Sequence, residues 1–263
     1  MHSHLFIFYH STFIIKTMQL HFLEQYNQQT KCLVALDSII FGFDGAQMKL
    51  LLVKRGVEAD HDTWSLMGGW LQPNETLQQA ADRILFELTG LNNVYLEQLF
   101  IFGDPQRDPV QRTVSIAYFA LVNVPDYEAH ISHTYDAEWF PIEDLPELLF
   151  DHAEMVKLAT QRLRYKAAFH PIGFELLPEK FTIPQLQTLY EAIFGVKETD
   201  DNKRLDKRNF SRKMLSTGLL IKLKEKQKGA SKKGAYLYKI DTDRYEKHMD
   251  SFLNFVPNPE GLI

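Results

Sequence analysis

Two stretches of the chain hold the residue types from which binding chemistry is built. Gly103-Asp-Pro-Gln-Arg-Asp-Pro-Val-Gln-Arg112 sets two arginines and two aspartates in a loop stiffened by two prolines. The guanidinium groups of Arg107 and Arg112 suit phosphate or diol oxygens, and the carboxylates of Asp104 and Asp108 suit sugar hydroxyls. Trp64 adds a flat face for a sugar or base, so these five residues form a candidate effector site. The alternative is structural: Arg–Asp pairs can tie a loop to itself, and Trp64 can be core. The second stretch is Leu205-Asp-Lys-Arg-Asn-Phe-Ser-Arg-Lys-Met214. At helical spacing Leu205, Phe210 and Met214 share an inward face, which leaves Lys207, Arg208, Ser211 and Arg212 outward. Arg208 or Arg212 can read guanine edges bidentately, and Asn209 can read adenine. Lys207, Lys213, Lys232 and Lys233 suit phosphates, the last two from a loop beyond the helix.

A third stretch, residues 69–91, reads Gly-Trp-Leu-Gln-Pro-Asn-Glu-Thr-Leu-Gln-Gln-Ala-Ala-Asp-Arg-Ile-Leu-Phe-Glu-Leu-Thr-Gly-Leu. It resembles the Nudix box, with Gly69, Glu75, Arg83, Leu85, Glu87, Gly90 and Leu91 in register. In that family three helix glutamates at i, i+3 and i+4 hold a divalent metal against a diphosphate. Here the first and third are Ile84 and Leu88, which removes groups that would position and activate water. The resemblance therefore implies a Nudix fold without hydrolysis: no catalytic residue, no cofactor, and no metal beyond what Glu75 and Glu87 could retain. A structural bond from Glu87 to Arg83 is the competing role.

Thr113-Val-Ser-Ile-Ala-Tyr-Phe after the polar loop, and Phe181-Thr-Ile-Pro-Gln-Leu-Gln-Thr-Leu-Tyr-Glu before the basic helix, resemble the Nudix-related transcription regulators called NrtR. That resemblance adds Tyr118 to the effector set and Thr182 to the DNA-facing set. It implies a Nudix domain that senses a small molecule, ADP-ribose or a related effector in the family and a pentose such as arabinose in one branch. The pentose branch is the expectation adopted, with ADP-ribose sensing for NAD metabolism as the alternative. An active pyrophosphohydrolase with an accessory basic domain and an RNA-associated protein are the rivals.

These residues must be positioned by a framework that the hydrophobic pattern outlines. Cys32–Phe41 and Lys49–Lys54 read as a hairpin turning at Asp44-Gly45, and Val94–Phe102 and Thr113–Val124 as further strands. Glu75–Thr89 is an amphipathic helix stopped by Gly90, and about Leu148–Ala168 is a second. Strands interleaved with helices predict an α/β/α sandwich around a mixed sheet. Thr182 and Gln185 make a capping box for a helix running to Phe194, and a basic helix over Leu205–Thr217 follows. Leu219–Leu223 and Tyr236–Ile240 flank a Lys/Gly-rich loop, the order of a winged helix-turn-helix. The expected organisation is an N-terminal extension over 1–30, partly disordered, an effector domain with its linking helix over 31–168, and a DNA-binding domain over 169–263.

The net charge of −5 conceals an asymmetry: Lys and Arg number 12 against 21 Asp and Glu in residues 1–170, but 13 against 2 within 203–239. A concentrated basic segment is the footprint of nucleic-acid contact. A palindromic duplex operator is the expected partner, bound by a homodimer, since helix-turn-helix proteins pair across two half-sites. A single cysteine, Cys32, excludes an internal disulfide and a cysteine-based zinc cluster. The apolar run Leu5–Ile15 is interrupted by Tyr9, His10, Ser11 and Thr12 and preceded by no Lys or Arg, so a signal peptide and a membrane span are not expected; residues 1–17 read as a disordered or over-annotated leader, with Met18 as a plausible start. The expected location is the cytoplasm.

Overall fold

The computed structural model describes residues 25–56, 62–92, 94–127, 136–196, 205–227 and 234–247. Leu5–Ile15, Met18, Lys232 and Lys233 lie outside the described residues. The central strand is β1, Leu33–Phe43, which runs parallel to β6, Thr113–Asn123, along its full length. On its other side β1 is shared by two shorter partners. β4, Met67–Trp70, pairs antiparallel with its first half, and β2, Met48–Gly56, with its second. β3, Asp62–Ser65, and β7, Ala137–Pro141, both lie against β2, and β5, Glu97–Phe102, closes the far edge on β6. A strand buried on both faces reads as a continuous apolar run rather than an alternation. That is the pattern of Leu36, Ile39, Ile40 and Phe41. β3, β4 and β7 have only four or five residues each, too few to establish a period in the sequence.

Each face of this mixed sheet is covered by helix. On one side α1, Leu77–Thr89, buries Ala80, Ala81, Ile84 and Leu85 against Leu36, Ile40, Ile116 and Tyr118. Thr76 and Gln79 form its capping box, and Gly90 at φ 71° ends it. On the other side α2, His152–Phe169, lays Met155, Ala159 and Leu163 over Ile39, Phe41 and Phe119. The result is the expected α/β/α sandwich. Gly42 is required by close approach: a Cβ there would stand 2.5 Å from the Trp139 ring and from Val124 Cγ2. Gly42→Ala is expected to lower stability by about 1–3 kcal/mol through overpacking, seen as a lower melting temperature with an unchanged fold.

Beyond α2 a single-turn helix at Phe174–Leu176 leads into α3, Ile183–Phe194, and α4, Lys207–Ser216. β8, Leu220–Gln227, and β9, Ala235–Ile240, then form an antiparallel hairpin, and Phe181 makes an isolated antiparallel bridge to Tyr238. This is a winged helix-turn-helix. Phe174, Leu186, Leu189, Phe210 and Met214 belong to the same apolar cluster as Phe41 and Met155, so core runs unbroken from the sheet through α2 to α4. Among the described residues no helix is long and apolar enough to cross a membrane.

Candidate functional site

The helix α1 carries the residues in register with the Nudix box, and their geometry is decided by Arg83. Its Nε and Nη2 donate to the two carboxylate oxygens of Glu75 at 2.9 and 2.6 Å, while Nη1 donates to Glu87 at 3.1 Å. A fourth bond from Nη2 reaches the Trp70 carbonyl at 3.0 Å. One fixed cation thus serves both remaining carboxylates, and its hydrogen bonds hold the Glu75 carboxyl below its ordinary value. Ile84 is buried, with its side chain packed where any Cβ on Gly69 would approach to 2.8 Å. Leu88 packs into the same apolar layer. Among the described residues no group of three or more His, Cys, Asp or Glu is placed to hold a metal ion. With both remaining carboxylates paired to Arg83, the donor set does not fit a divalent cation.

The loop 103–112 is stapled by its own charged groups. Asp104 Oδ1 accepts from the Gln106 amide at 2.7 Å, and Asp108 accepts from the Val110 amide at 2.9 Å and the Thr113 hydroxyl at 3.0 Å. Arg112 donates to the carbonyls of Gly103 and Thr113 at 3.0 and 3.1 Å. Arg107 alone among these turns into the protein. It makes a bidentate pair with Asp151 at 2.9 and 2.7 Å and lies 3.7 Å from Asp37.

Asp37 and His152 complete a buried polar network that includes residues outside the expected set. Asp37 accepts from the Ser115 hydroxyl at 2.5 Å, and His152 Nε2 stands 3.5 Å from its other oxygen. The Leu66 amide donates to His152 Nδ1 at 3.3 Å. Asp37 left a signal in the sequence, a carboxylate within an otherwise apolar strand, which must be paired if buried. Asp151 and His152 left none, because their partners are more than 40 residues away.

Trp64 sits partly buried with an edge-on contact to Phe140 at 4.6 Å, a packing position. Tyr118 does not join the loop. β6 alternates, so Thr113, Ser115 and Ala117 share the Asp37 face while Tyr118 is buried on the opposite face beside α1.

On α4 the residues Lys207, Arg208, Asn209, Arg212 and Lys213 are exposed, Ser211 is half-buried, and Phe210 and Met214 anchor the inner face. Arg212 Nη2 donates to Asn209 Oδ1 at 2.8 Å, which pairs two candidate base readers. Lys222, Lys224 and Lys226 extend the positive face along β8, with Lys222 3.7 Å over the Tyr236 ring. Their alternate spacing was visible in the sequence, but the strand was expected to stop at Leu223. Thr182 is corrected: it is buried, and its hydroxyl accepts the Gln185 amide as the α3 cap, so it is no DNA contact. A cleft of about 580 Å³ between the β1–β2 turn and α3 is lined by Gly45, Pro184, Gln187, Thr188, Lys207 and Ser211, which brings the sheet unit against the first turn of α4.

Comparison with known proteins agrees with both halves. The model of the NUDIX domain matches residues 33–159, and that of the NrtR DNA-binding winged helix domain matches residues 173–240. An ADPR responsive transcriptional repressor, NtrR, of Acinetobacter baylyi is 32% identical over 240 residues, covering 89% of this chain and 93% of that protein. The chain belongs to the NrtR-like family of transcriptional regulators. Its architecture is a Nudix-fold sensor unit joined to a DNA-binding winged helix. The crystal structure of Shewanella oneidensis NrtR complexed with a 27mer DNA superposes on the regulator with a TM-score of 0.71 at 29% identity, covering 81% of this chain and 95% of that one. An ADP-ribose pyrophosphatase of Methanocaldococcus jannaschii is 31% identical over 135 residues, 51% of this chain and 77% of that protein.

In the regulator's Nudix unit two glutamates of the box are replaced by the aliphatic residues Ile84 and Leu88, and the relative aligned nearly end to end is named as a repressor. The expected arabinose-responsive branch is overturned, because that same relative is ADPR responsive. The physical reason for the error is that a few Asp, Arg and Trp groups suit a pentose and a nucleotide sugar equally, and most of these groups are spent on closing their own loop.

Proposed function

We propose that the regulator is an ADP-ribose-responsive repressor of genes of NAD metabolism, binding a palindromic operator as a homodimer. The observation that carries this reading is the alignment over 93% of the Acinetobacter repressor, through both the sensor and the winged helix. The effector meets the Nudix unit at the side of loop 103–112, where Asp104 is exposed and Arg112 half-buried. Lys207, Arg208, Asn209, Ser211, Arg212 and Lys213 face the major groove, with Arg208 reading base edges and Lys213 meeting phosphate. Pairing places two α4 helices about 34 Å apart, one helical turn of DNA.

The test is thermal melting with ADP-ribose and with arabinose. ADP-ribose at about 100 times its Kd stabilises the folded state by about 2.7 kcal/mol, whereas arabinose leaves the transition in place. No shift with ADP-ribose up to millimolar concentration would refute the effector. DNA reading is tested separately on an operator selected from random duplexes. Arg208→Ala is expected to cost about 1–3 kcal/mol on that operator and little on scrambled DNA, while Lys213→Ala weakens both alike and reduces the salt slope by about one. Equal affinity of the parent protein for operator and scrambled duplex would remove the specific-regulator reading.

A further inference from the structure

We propose that Arg107, Asp151 and Arg164 are positioning residues that couple the loop 103–112 to the recognition helix through α2, so that effector binding is transmitted along one rigid element. The inference rests on the effector reading above and adds the route by which that site controls DNA binding.

The near end of α2 is built in an unusual way. Asp151 stands at its N-cap, where an aspartate ordinarily accepts a backbone amide of the first turn. Its side chain makes no cap hydrogen bond, and both oxygens are taken by Arg107 from the loop. The preceding residue, Phe150, has φ 52°, a left-handed conformation that a bulky residue adopts only when its surroundings impose it. The next residue, His152, is held by the Leu66 amide and faces Asp37 on the central strand. The start of α2 is thus gripped by the loop on one side and the sheet on the other, at the expense of its cap and of backbone strain. Such strain at the junction of a polar network makes this end the natural place for a small displacement.

The far end is fastened to the DNA-binding half. Arg164 Nε donates to the Ile193 carbonyl at 2.9 Å, in the last turn of α3. α3 in turn holds the entry to α4: Gln187 donates to the Leu205 carbonyl at 2.8 Å, and Glu191 accepts the Leu205 amide at 3.1 Å. Phe210 of α4 rests edge-on against Tyr190 at 5.4 Å. An 18-residue helix is about 27 Å long and stiff. A shift of Arg107 as the loop closes on effector therefore moves Asp151, α2, α3 and the DNA-facing side of α4 together.

The experiment measures, on the full chain, the ratio of operator Kd with and without saturating ADP-ribose, alongside ADP-ribose affinity by calorimetry. For the parent protein a ratio of about 5–150 is expected, the range of allosteric coupling. Asp151→Asn and Arg164→Ala are expected to bind ADP-ribose within about threefold of the parent, yet to bring the ratio close to one. Lys157→Ala, an exposed change on the same helix, keeps the parent ratio. Having variants at opposite ends lets either one decide if the other fails to melt cooperatively. A parent-like ratio in a folded variant overturns the proposal, as does a loss of ADP-ribose affinity beyond about tenfold in Asp151→Asn, which would make the pair part of the pocket. A parent ratio of one instead refutes the effector reading and removes this inference with it.

Discussion

Arg107→Met is expected to lower the unfolding free energy by about 3–5 kcal/mol, the cost of leaving a buried charge without its partner. The arginine side chain is 4% exposed and that of Asp37 is 7% exposed, so neither can turn to water when the other is removed. Asp151, at 23%, can rehydrate in part, and the cost therefore falls mainly on Asp37. Urea denaturation measures it directly. The double variant Arg107→Met, Asp37→Asn is expected to recover a large fraction, because the neutral amide can still accept from Ser115 without a buried charge. Arg112→Ala provides the contrast: its bonds are to carbonyls in an exposed loop, and a loss of about 1 kcal/mol is expected. Equal effects at the two arginines would mean that the buried network carries no special weight.

Ile84→Glu is the second large effect, expected to cost on the order of 3 kcal/mol by burying a carboxylate without a cation to receive it. Ile84 lies between Gly69 and the apolar layer, and Arg83, the nearest basic side chain on α1, already serves Glu75 and Glu87. The double variant Ile84→Glu, Leu88→Glu restores the composition of the box but is expected to melt lower than the parent. Magnesium is expected to leave the parent's melting temperature unchanged. A stabilisation of the parent by magnesium would show that Glu75 and Glu87 exchange Arg83 for a metal.

Several candidate site residues also make structural hydrogen bonds or packing contacts in the fold, for one recurring reason. A polar side chain in the sequence offers a hydrogen-bonding capacity, and the fold decides whether a ligand or the backbone takes it up. Thr182 caps α3, Asp104 and Asp108 close turns, and Tyr118 falls on the far side of a strand whose register the sequence could not specify.

Local chemistry was legible without the fold. The period of Ala80, Ala81, Ile84 and Leu85, stopped by Gly90, determines a helix, and Thr182 with Gln185 determines the start of another, because caps and amphipathic faces involve residues within a turn or two. The spacing of Phe210 and Met214 likewise determines which side of α4 is outward. The identities of Ile84 and Leu88 alone show that two box positions lack carboxylates. Tertiary structure decided what depends on distant partners. Asp37, Arg107, Asp151 and His152 come from the central strand, a loop and a linking helix, and their pairing brings residues as far as 115 positions apart into one buried network. Such an arrangement has no period and no local motif, since buried charges require only that opposite charges meet in space. The link between the loop 103–112, the central strand and the start of α2 is therefore a property of the folded chain.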